Sequence, residues 1–425
     1  MSNIALLFIL MFLLILLSVP IGVALGISTA VVMVSTTNIN VVTIIQNSFT
    51  GLNSFTLLAI PFFILAGNLM GFGGISKRLI VFCDSLLGWM TGGLGIVTTA
   101  ACMLFAAISG SGPATVSAIG GLMIPEMEKR GYDKPFAAAL SATAGTIGVI
   151  IPPSIPFVVY AVVASASVGD LFLAGIVPGI LIGLGLMVVC YITAKKHGWK
   201  GTAKEDQINP LKAFVDGLPA LLAPVIILGG IYGGIFTPTE AAVVAVVYSF
   251  LVGKFIYREL DLKKAIKALR DTADMTGMIG LAMGLSLSFG SFLAMLQVPA
   301  KLAAFLTATI KSDVLMILMI IAVFLVVGCF VDNISSCLIL TPVFLPLVKA
   351  IGYNEIHFGI IMTIALAIGF VTPPFGGNLF VASAVSQLKI ERVAKSSIPL
   401  LLVMLVILLV VTFIPVLSIG ILSLK

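Results

Sequence analysis

The sequence predicts an all-α polytopic membrane protein made of two inverted-topology repeats, each with one re-entrant helical hairpin. Three observations support this fold class. Of the 425 residues, 60% are hydrophobic and 9% are charged, and the mean hydropathy is +1.24. Residues 124–178 recur without gaps 221 positions later. Basic residues occur in short clusters between apolar runs, as in chains whose membrane orientation is set by charge.

The composition excludes an ordinary soluble domain, in which about 25% of residues are charged. Apolar runs of about 20 residues, the length that crosses a bilayer, follow one another along the chain. The opening stretch, residues 4–17, lacks a basic leading region and is expected to be a retained span. The net charge of +6 comes from the clusters between spans, so nucleic acid binding is not indicated. The expected surrounding is the lipid bilayer.

The repeat preserves residues that interrupt helices. In hydrocarbon an interrupted helix is tolerated only inside protein or beside water, and transporters place their binding sites there. The chain therefore divides into a first repeat, residues 1–204, and a second repeat, residues 205–425. The matched residues, with the first-repeat member first, are Pro125 and Pro346, Gly131 and Gly352, Tyr132 and Tyr353, Gly148 and Gly369, Pro152 and Pro373, Pro153 and Pro374, and Pro178 and Pro399.

The charges of two equivalent links predict that the repeats are inverted. The link EKRGYDK contains Lys129, Arg130 and Lys134, whereas its counterpart AIGYNEI has no basic residue. The basic link is expected to face the cytoplasm and its counterpart the opposite side. The C-terminus then lies outside. The position of the N-terminus stays open, because Pro20 either kinks one long helix or divides two short spans.

Each repeat is expected to contain scaffold helices, a hairpin and a broken helix, in that order. The first hairpin, residues 92–126, is interrupted by SGSGP, and the second, residues 314–347, by VDNISS. Each arm has only about 15 apolar residues, which is short for a span, so both hairpins are predicted to be re-entrant. The broken helices, residues 135–165 and 357–386, each contain a double proline. Residues 74–89 are expected to form an amphipathic helix at the cytoplasmic interface.

The double prolines predict a cation site. Proline removes an amide donor, so carbonyls about one turn earlier lose their helical partners. In the first repeat these carbonyls lie near Gly148 and Ile151, and in the second near Gly369 and Thr372. Together with oxygens from the hairpin turns, they are expected to bind Na⁺. The N-terminal ends of the half-helices present free amides, which suit the carboxylate of a substrate.

Asp332 is the most informative single residue, because it lies in the middle of the apolar stretch GCFVDNISS. A carboxylate at that depth costs about 3 kcal/mol or more unless it is compensated. One interpretation is that Asp332 only caps the second arm of the hairpin. The other is that it lies at or beside a cation site and caps the helix as well.

Several other residues are interpreted as structural. Glu240 lies in the capping box TPTE and is expected to mark a helix start. His197 and His357 are expected in loops, without companions at metal-ligand spacing. Trp89 and Trp199 are expected to be interfacial anchors. The cysteines show no CxxC spacing and are expected to be packing residues; they are Cys83, Cys102, Cys190, Cys329 and Cys337.

Catalytic motifs are absent from the sequence. It has no Ser/His/Asp grouping, zinc motif or phosphate loop, so an intramembrane enzyme is disfavoured and the protein is expected not to be an enzyme. Energy for transport must then come from an ion gradient or a partner subunit. A passive channel stays an alternative, which accumulation of substrate against a gradient would exclude.

Four segments carry a resemblance to a known family. They are SGSGPATVSAIGGLMIPEM, GVIIPPS, VDNISSCLILTPVFLPL and GFVTPPFGGNLF, in this order and spacing. The chain resembles, over essentially its whole length, the large membrane (M) subunit of tripartite ATP-independent periplasmic (TRAP) transporters. The resemblance implies an elevator-type ion-transporter-like fold and a Na⁺-coupled importer of organic acids, in the sialic acid or C4-dicarboxylate class. It also implies a multi-pass protein of the bacterial inner membrane.

The resemblance also implies site residues, because the family's motifs match positions of this sequence. It places at least two Na⁺ sites in the chain. The first falls on Ser109, Gly148, Ile151 and Pro152, and the second on Gly328, Val331, Gly369, Thr372 and Phe375, with Asp332 adjacent. The candidates for holding the substrate carboxylate between the hairpin tips are Ser111, Ser154, Asn333 and Gly376.

Two partners are implied by the same resemblance. A small four-helix membrane subunit of the Q type is expected to widen the scaffold, as a separate chain. A periplasmic substrate-binding protein of the P type is expected to deliver the organic acid anion. The alternative is a stand-alone sodium/dicarboxylate elevator symporter, which has similar hairpins and needs no binding protein.

Overall fold

A computed structural model describes residues 3–17, 19–37, 40–203, 208–373 and 376–424. Within these ranges the regular structure is entirely helical. Eight of the described helices are long and apolar enough to cross a membrane. The prediction of an all-α polytopic membrane protein is therefore confirmed.

In the described part of the first repeat there are eleven α-helices. A short 3₁₀ turn, Phe55–Leu58, precedes the fourth of them and extends it to span length. A π-helical turn, Val116–Gly120, separates the seventh from the eighth. The helices are α1 (Asn3–Leu16), α2 (Ile21–Thr36), α3 (Val42–Leu52), α4 (Ala59–Phe72), α5 (Ile75–Leu87), α6 (Gly93–Ser109), α7 (Gly112–Thr115), α8 (Gly121–Lys129), α9 (Lys134–Gly145), α10 (Ile155–Ala164) and α11 (Val168–His197).

The second repeat follows the same order with fewer breaks among its scaffold helices. Its α14 is one continuous helix where the first repeat has α3 and α4. The helices are α12 (Pro210–Tyr232), α13 (Pro238–Leu251), α14 (Leu262–Met295), α15 (Val298–Thr309), α16 (Asp313–Phe330), α17 (Asn333–Ala350), α18 (Glu355–Gly369), α19 (Gly377–Ser386), α20 (Ile390–Phe413) and α21 (Val416–Ile419).

The two hairpins differ in the continuity of their second arm. The arms of the first are α6 and the broken segment from α7 to α8, whereas the arms of the second, α16 and α17, have 18 residues each. Those two arms are long enough to span by length and composition. The re-entrant path of both hairpins stays a prediction.

Proline determines where the N-terminal region is divided. Helix α1 ends at Leu16, and α2 begins at Ile21 directly after Pro20, which occupies its N-cap position. The structure therefore has two helices here, not one kinked helix. A proline just before the first helical turn removes no intrahelical hydrogen bond, so this position is favourable.

The core of the molecule is where the two repeats interlock. Every residue of Phe136 to Gly145 in α9 and of Ile356 to Gly369 in α18 is buried. Helix α10 packs on α17, and α9 packs on α19 and α20. The hydroxyl of Tyr160 in α10 donates to the carbonyl oxygen of Glu355 in α18 at 2.6 Å. Each broken helix thus packs against elements of the other repeat as well as its own.

The expectation that both histidines lie in loops is wrong. His357 is the third residue of α18 and is 1% exposed. Its Nδ1 lies 2.7 Å from the Ser418 hydroxyl, and its Nε2 lies 3.2 Å from the Thr412 carbonyl oxygen. His197 is the last residue of α11. Only four residues separate α17 from α18, so the sequence did not show that α18 begins before His357.

The two tryptophans also differ from each other. Trp89 is 59% exposed, as expected of an interfacial anchor. Trp199 is only 9% exposed and stacks on Tyr132 and His197, with ring centroids 4.5 and 4.9 Å apart. It therefore packs within the protein and is not an anchor. All five cysteines are free and buried, as predicted, and the capping box of Thr237 and Glu240 is present at the start of α13.

Candidate functional site

The first hairpin turns at the SGSGP segment through local backbone chemistry. Helix α6 ends at Ser109, and Gly110 adopts φ +64°, a conformation that a Cβ disfavours. Ser111 then caps the next helix by accepting a hydrogen bond from the Ala114 N–H at 3.5 Å. Pro113 lies in the first turn of that helix, where its missing N–H costs nothing. The sequence thus ends one arm and starts the other within two residues.

The turn of the first hairpin lies against the break of the first broken helix. A Cβ on Gly148 would lie 2.5 Å from Thr115 Oγ1 and 2.6 Å from the Ser111 carbonyl oxygen. Such distances are too short for a side chain, so the backbone at Gly148 approaches the turn directly. The Ile155 N–H donates to the Gly110 carbonyl oxygen at 3.3 Å. Hairpin turn and helix break therefore form one unit.

The break leaves carbonyls without their regular helical donors. Pro152 has no N–H to donate to the carbonyl of Gly148, four residues earlier. The Ile155 N–H, which a continuous helix would direct to Ile151, is used by Gly110. The Val149 carbonyl is different, because the Ser154 hydroxyl donates to it at 2.6 Å. The oxygens of Gly148 and Ile151 thus lose their helical donors at this break, the first because of Pro152 and the second because the Ile155 N–H bonds to Gly110.

The structure brings a hydroxyl pair to the same place. Ser109 is 2% exposed, and its Oγ lies 3.1 Å from Thr115 Oγ1. Thr115 was not among the predicted site residues, although it lies between Ser109 and Gly148. Its counterpart 221 positions later is Ser336, which is also fully buried. A hydroxyl at equivalent positions of both repeats was the sequence signal that would have found it.

The second predicted cation group is also built on close backbone contact. A Cβ on Gly369 would lie 2.6 Å from the Gly328 Cα, so the end of α16 touches the end of α18. The Gly369 carbonyl accepts a hydrogen bond from the Thr372 N–H at 2.9 Å, which leaves one lone pair. Val331 follows α16 in extended conformation, φ −124° and ψ 140°. Phe375 lies outside the described residues.

Asp332 caps the second arm of its hairpin. Its Oδ2 accepts hydrogen bonds from the N–H groups of Ile334 at 3.0 Å and Ser335 at 3.1 Å. Within the described ranges, no basic side chain lies within 4 Å of this carboxylate. The capping interpretation therefore describes what the side chain does here. Its negative charge is balanced only by helix amides, which leaves it available to a cation.

The four candidates for substrate contact have different environments. The Ser154 hydroxyl is fully buried and also caps α10 through the Phe157 N–H at 3.4 Å. Asn333 is 6% exposed, and its Oδ1 has no hydrogen-bond partner among the described residues. Gly376 is the N-cap of α19 and has no side chain to offer. Ser111 is half-buried at the first turn. The Asn333 Oδ1 fits a hydroxyl or amide donor of a substrate, whereas a carboxylate would need the side-chain N–H groups of Asn333.

Asn378 joins the two repeats beside the first hairpin and was missed in the sequence. It is fully buried, and its Nδ2 donates to the Ala142 carbonyl oxygen of α9 at 3.2 Å. Its Oδ1 has no partner in the part of the chain that the structure describes. A Cβ on Gly112 would lie 3.0 Å from the Asn378 amide nitrogen. The equivalent first-repeat residue is Phe157, so the repeat comparison gave no signal.

The arrangement as a whole offers oxygens and amides but little charge. Carbonyls of Gly148, Ile151 and Gly369 and the hydroxyls of Ser109 and Thr115 are hard oxygen donors. Such donors suit an alkali cation held by unwound helices. No group of three His, Cys, Asp or Glu residues in the described ranges forms a site for a transition metal.

Comparison with known proteins gives a family match over nearly the whole chain. Residues 8–417 match the family described as "Tripartite ATP-independent periplasmic transporter, DctM component". A permease named for isethionate, DctMQ of Oleidesulfovibrio alaskensis, is 48% identical over 371 residues, which are 87% of this chain and 58% of that protein. The chain thus spans less than two thirds of the length of that relative.

Two further relatives match this chain over most of their own length. The C4-dicarboxylate large permease DctM of Pseudomonas aeruginosa is 43% identical over 86% of each chain. The sialic acid large permease SiaM of Vibrio cholerae is 37% identical over 91% of this chain and 90% of its own. Among solved structures, the YdaH transporter of Alcanivorax borkumensis has a TM-score of 0.60 at 14% identity, covering 87% of this chain and 88% of its own. The last similarity shows the fold alone.

Proposed function

Because the chain belongs to the DctM component family of tripartite ATP-independent periplasmic transporters, we propose that it is the large membrane subunit of a sodium-coupled importer of organic acids. It lies in the bacterial inner membrane and works as a secondary active transporter. Its relatives are permeases, so the protein is a transporter subunit and not an enzyme.

Sodium coupling is supported mainly by two close backbone contacts, one at each helix break, which we call the two backbone seats. At Gly148 and at Gly369 a missing side chain lets a hairpin arm touch the end of a broken helix. In both places a following proline removes the donor for a carbonyl. The two seats lie at equivalent positions of the two repeats. We assign one Na⁺ to each, with Ser109, Ile151 and Pro152 at the first and Gly328, Val331, Thr372, Phe375 and Asp332 at the second.

The substrate is proposed to be a small organic anion. The relatives described above are named for isethionate, C4-dicarboxylate and sialic acid, which share an acidic group. Neither hairpin turn contains an arginine, so recognition uses amides, hydroxyls and bound Na⁺ in place of a bidentate guanidinium. Ser111, Ser154, Asn333 and Gly376 are the proposed contacts. Sodium binding then raises the affinity for the anion.

Transport is proposed to follow an elevator movement. The hairpins and broken helices move as one body, because the repeats interlock through α9, α10, α17, α18 and α19. They move against a scaffold that includes α4, α13 and α14, in which α4 packs on both of the others. A small four-helix membrane subunit widens this scaffold, and a periplasmic binding protein delivers the substrate.

Reconstitution tests this proposal. The protein, its small membrane subunit and its cognate binding protein are incorporated in liposomes, and uptake of the labelled anion is measured with an inward gradient of Na⁺ or of K⁺. We expect accumulation with Na⁺ and only background with K⁺. Equal uptake in K⁺ alone would contradict sodium coupling. Equal uptake without the binding protein would favour the stand-alone symporter.

A further inference from the structure

A cavity of about 530 Å³ lies between α5, α12 and the π-helical turn Val252–Ile256 that follows α13, away from the hairpins. The helix ends around it carry clusters of basic residues. Because the predicted topology puts such clusters in the cytoplasm, the cavity is expected at the cytoplasmic face. It is open to one side, and its walls are half polar and half apolar. The three helices that form it belong to both repeats, and α5 packs along α6, the first arm of the first hairpin.

A tyrosine holds the polar wall in place beside a proline of α12. Pro219 lies inside that helix and has no N–H for the Val215 carbonyl, and the Tyr257 hydroxyl bonds to the adjacent turn. It accepts a hydrogen bond from the Ala220 N–H and donates one to the Asp216 carbonyl oxygen, both at 3.1 Å. These two backbone groups would bond to each other in a regular helix. The ring of Tyr257 is therefore fixed in orientation.

Arg78 rests on that ring. Its guanidinium carbon lies 4.1 Å from the Tyr257 ring centroid, and the side chain also pairs with Glu259. The charge of Arg78 is therefore already balanced. Lys77, next to it on α5, is exposed and forms no ion pair with any described carboxylate.

Other charges around the cavity leave an excess of positive charge. Lys212 lies one turn before Asp216 on the same face of α12 and forms no ion pair with a described carboxylate. Lys254 and Arg258 flank in sequence the lining residues Ile256 and Tyr257. Five basic residues, with Lys77 and Arg78 included, thus lie in or next to the lining segments, against the two acidic residues Asp216 and Glu259.

The remaining wall is apolar and faces outward. Val215 is 59% exposed and Ile256 is 56% exposed, and Val81 of α5 completes the apolar lining. A small anion such as phosphate has no apolar part that could pack against this wall. An amphiphile with an anionic headgroup and an acyl chain matches both walls at once.

We propose that the cavity binds an anionic phospholipid of the cytoplasmic leaflet. The headgroup phosphate lies against Lys77 and Lys212, and the acyl chain runs over Val215 and Ile256. Basic pockets between membrane helices on the cytoplasmic side bind anionic lipid headgroups in this way. The lipid joins α5, which leads into the first hairpin, to the scaffold helix α12.

Lipid retention provides the test. The complex with its small subunit is reconstituted in nanodiscs of equal parts phosphatidylglycerol and phosphatidylcholine, released, and measured by native mass spectrometry. We expect phosphatidylglycerol to be retained at least fivefold over phosphatidylcholine. The double variant Lys77→Gln/Lys212→Gln is expected to lose this preference. Lys129→Gln, an exposed cytoplasmic lysine in another link, is the matched control and is expected to keep it.

Two further measurements identify the source of the anion. Val215→Trp fills the apolar wall and leaves all charges in place, so it is expected to lower phosphatidylglycerol retention as well. Excess glycerol 3-phosphate, which has the headgroup chemistry without chains, is expected not to displace the lipid. Unchanged retention in both variants, or displacement by glycerol 3-phosphate, overturns the proposal. Loss of the small subunit from Val215→Trp also overturns it, because the wall would then be a protein interface.

Discussion

Single residues in this protein act mainly through the backbone they shape. Gly148 and Gly369 permit contact because they lack a side chain, and Pro152 frees a carbonyl because it lacks an N–H. Asp332 is the exception, since its carboxylate carries charge and a cap together. A substitution that separates these two properties decides between its two interpretations.

Asp332→Asn provides that separation. Asparagine caps helices as well as aspartate does, so the thermal midpoint of the purified complex without Na⁺ is expected to stay within experimental error. The negative charge is lost, so the Na⁺ concentration for half-maximal thermal stabilisation is expected to rise about tenfold, which corresponds to about 1.4 kcal/mol. Transport falls accordingly. An unchanged Na⁺ requirement would leave capping as the only role.

Asn354→Ala is the matched control for this prediction. The Asn354 side chain caps α18 in the same way, by accepting hydrogen bonds from the N–H groups of Ile356 at 2.7 Å and His357 at 3.3 Å. Its loss is expected to cost about 1 kcal/mol of stability. The cap lies at the far end of α18 from Gly369, so the Na⁺ requirement is expected to stay the same.

At the scale of elements, α12 shows how a side chain from another segment supports a helix next to an internal proline. The Tyr257 hydroxyl bonds to two backbone groups of α12 beside Pro219. Tyr257→Phe keeps the ring beneath Arg78 but leaves the Ala220 N–H and the Asp216 carbonyl without their partner. We expect the free energy of unfolding to fall by about 1 kcal/mol. Thermal unfolding in detergent measures it. Tyr191→Phe, at an exposed position in α11, is the control. An equal fall in the free energy of unfolding in this control would show that the two hydrogen bonds of the Tyr257 hydroxyl contribute nothing.

The order of elements was largely predictable because breaks are visible in sequence. The SGSGP and VDNISS turns and the double prolines fall where the structure ends and starts helices, and the amphipathic residues 74–89 contain α5. What the pattern did not show depends on contacts between repeats. Thr115 and Asn378 are identified only when a turn and a distant helix are seen together. Whether Pro20 kinks one helix or divides two could be decided only from the structure, where α1 ends before it and α2 begins after it.

For the whole molecule, the two repeats are equivalent in order but not in charge, and this difference predicts their orientation. Lys129 ends α8 with 75% of its side chain exposed, and the equivalent residue of α17 is the exposed Ala350. If the repeats are inverted, these two helix ends lie on opposite sides of the membrane. All native cysteines are buried, so an added surface thiol is labelled against a low background.

Cysteine labelling in intact cells tests this orientation. Lys129→Cys and Ala350→Cys are each treated with a membrane-impermeant maleimide, with and without permeabilisation, and the parent chain serves as the control. The cysteine at 350 is expected to react in spheroplasts whose inner membrane is intact, since its link faces outward. The cysteine at 129 is expected to react only after the inner membrane is opened, because basic links stay in the cytoplasm. Labelling of both from the same side would mean that the repeats run parallel, and a carrier with two opposed hairpins could not then be built from this chain.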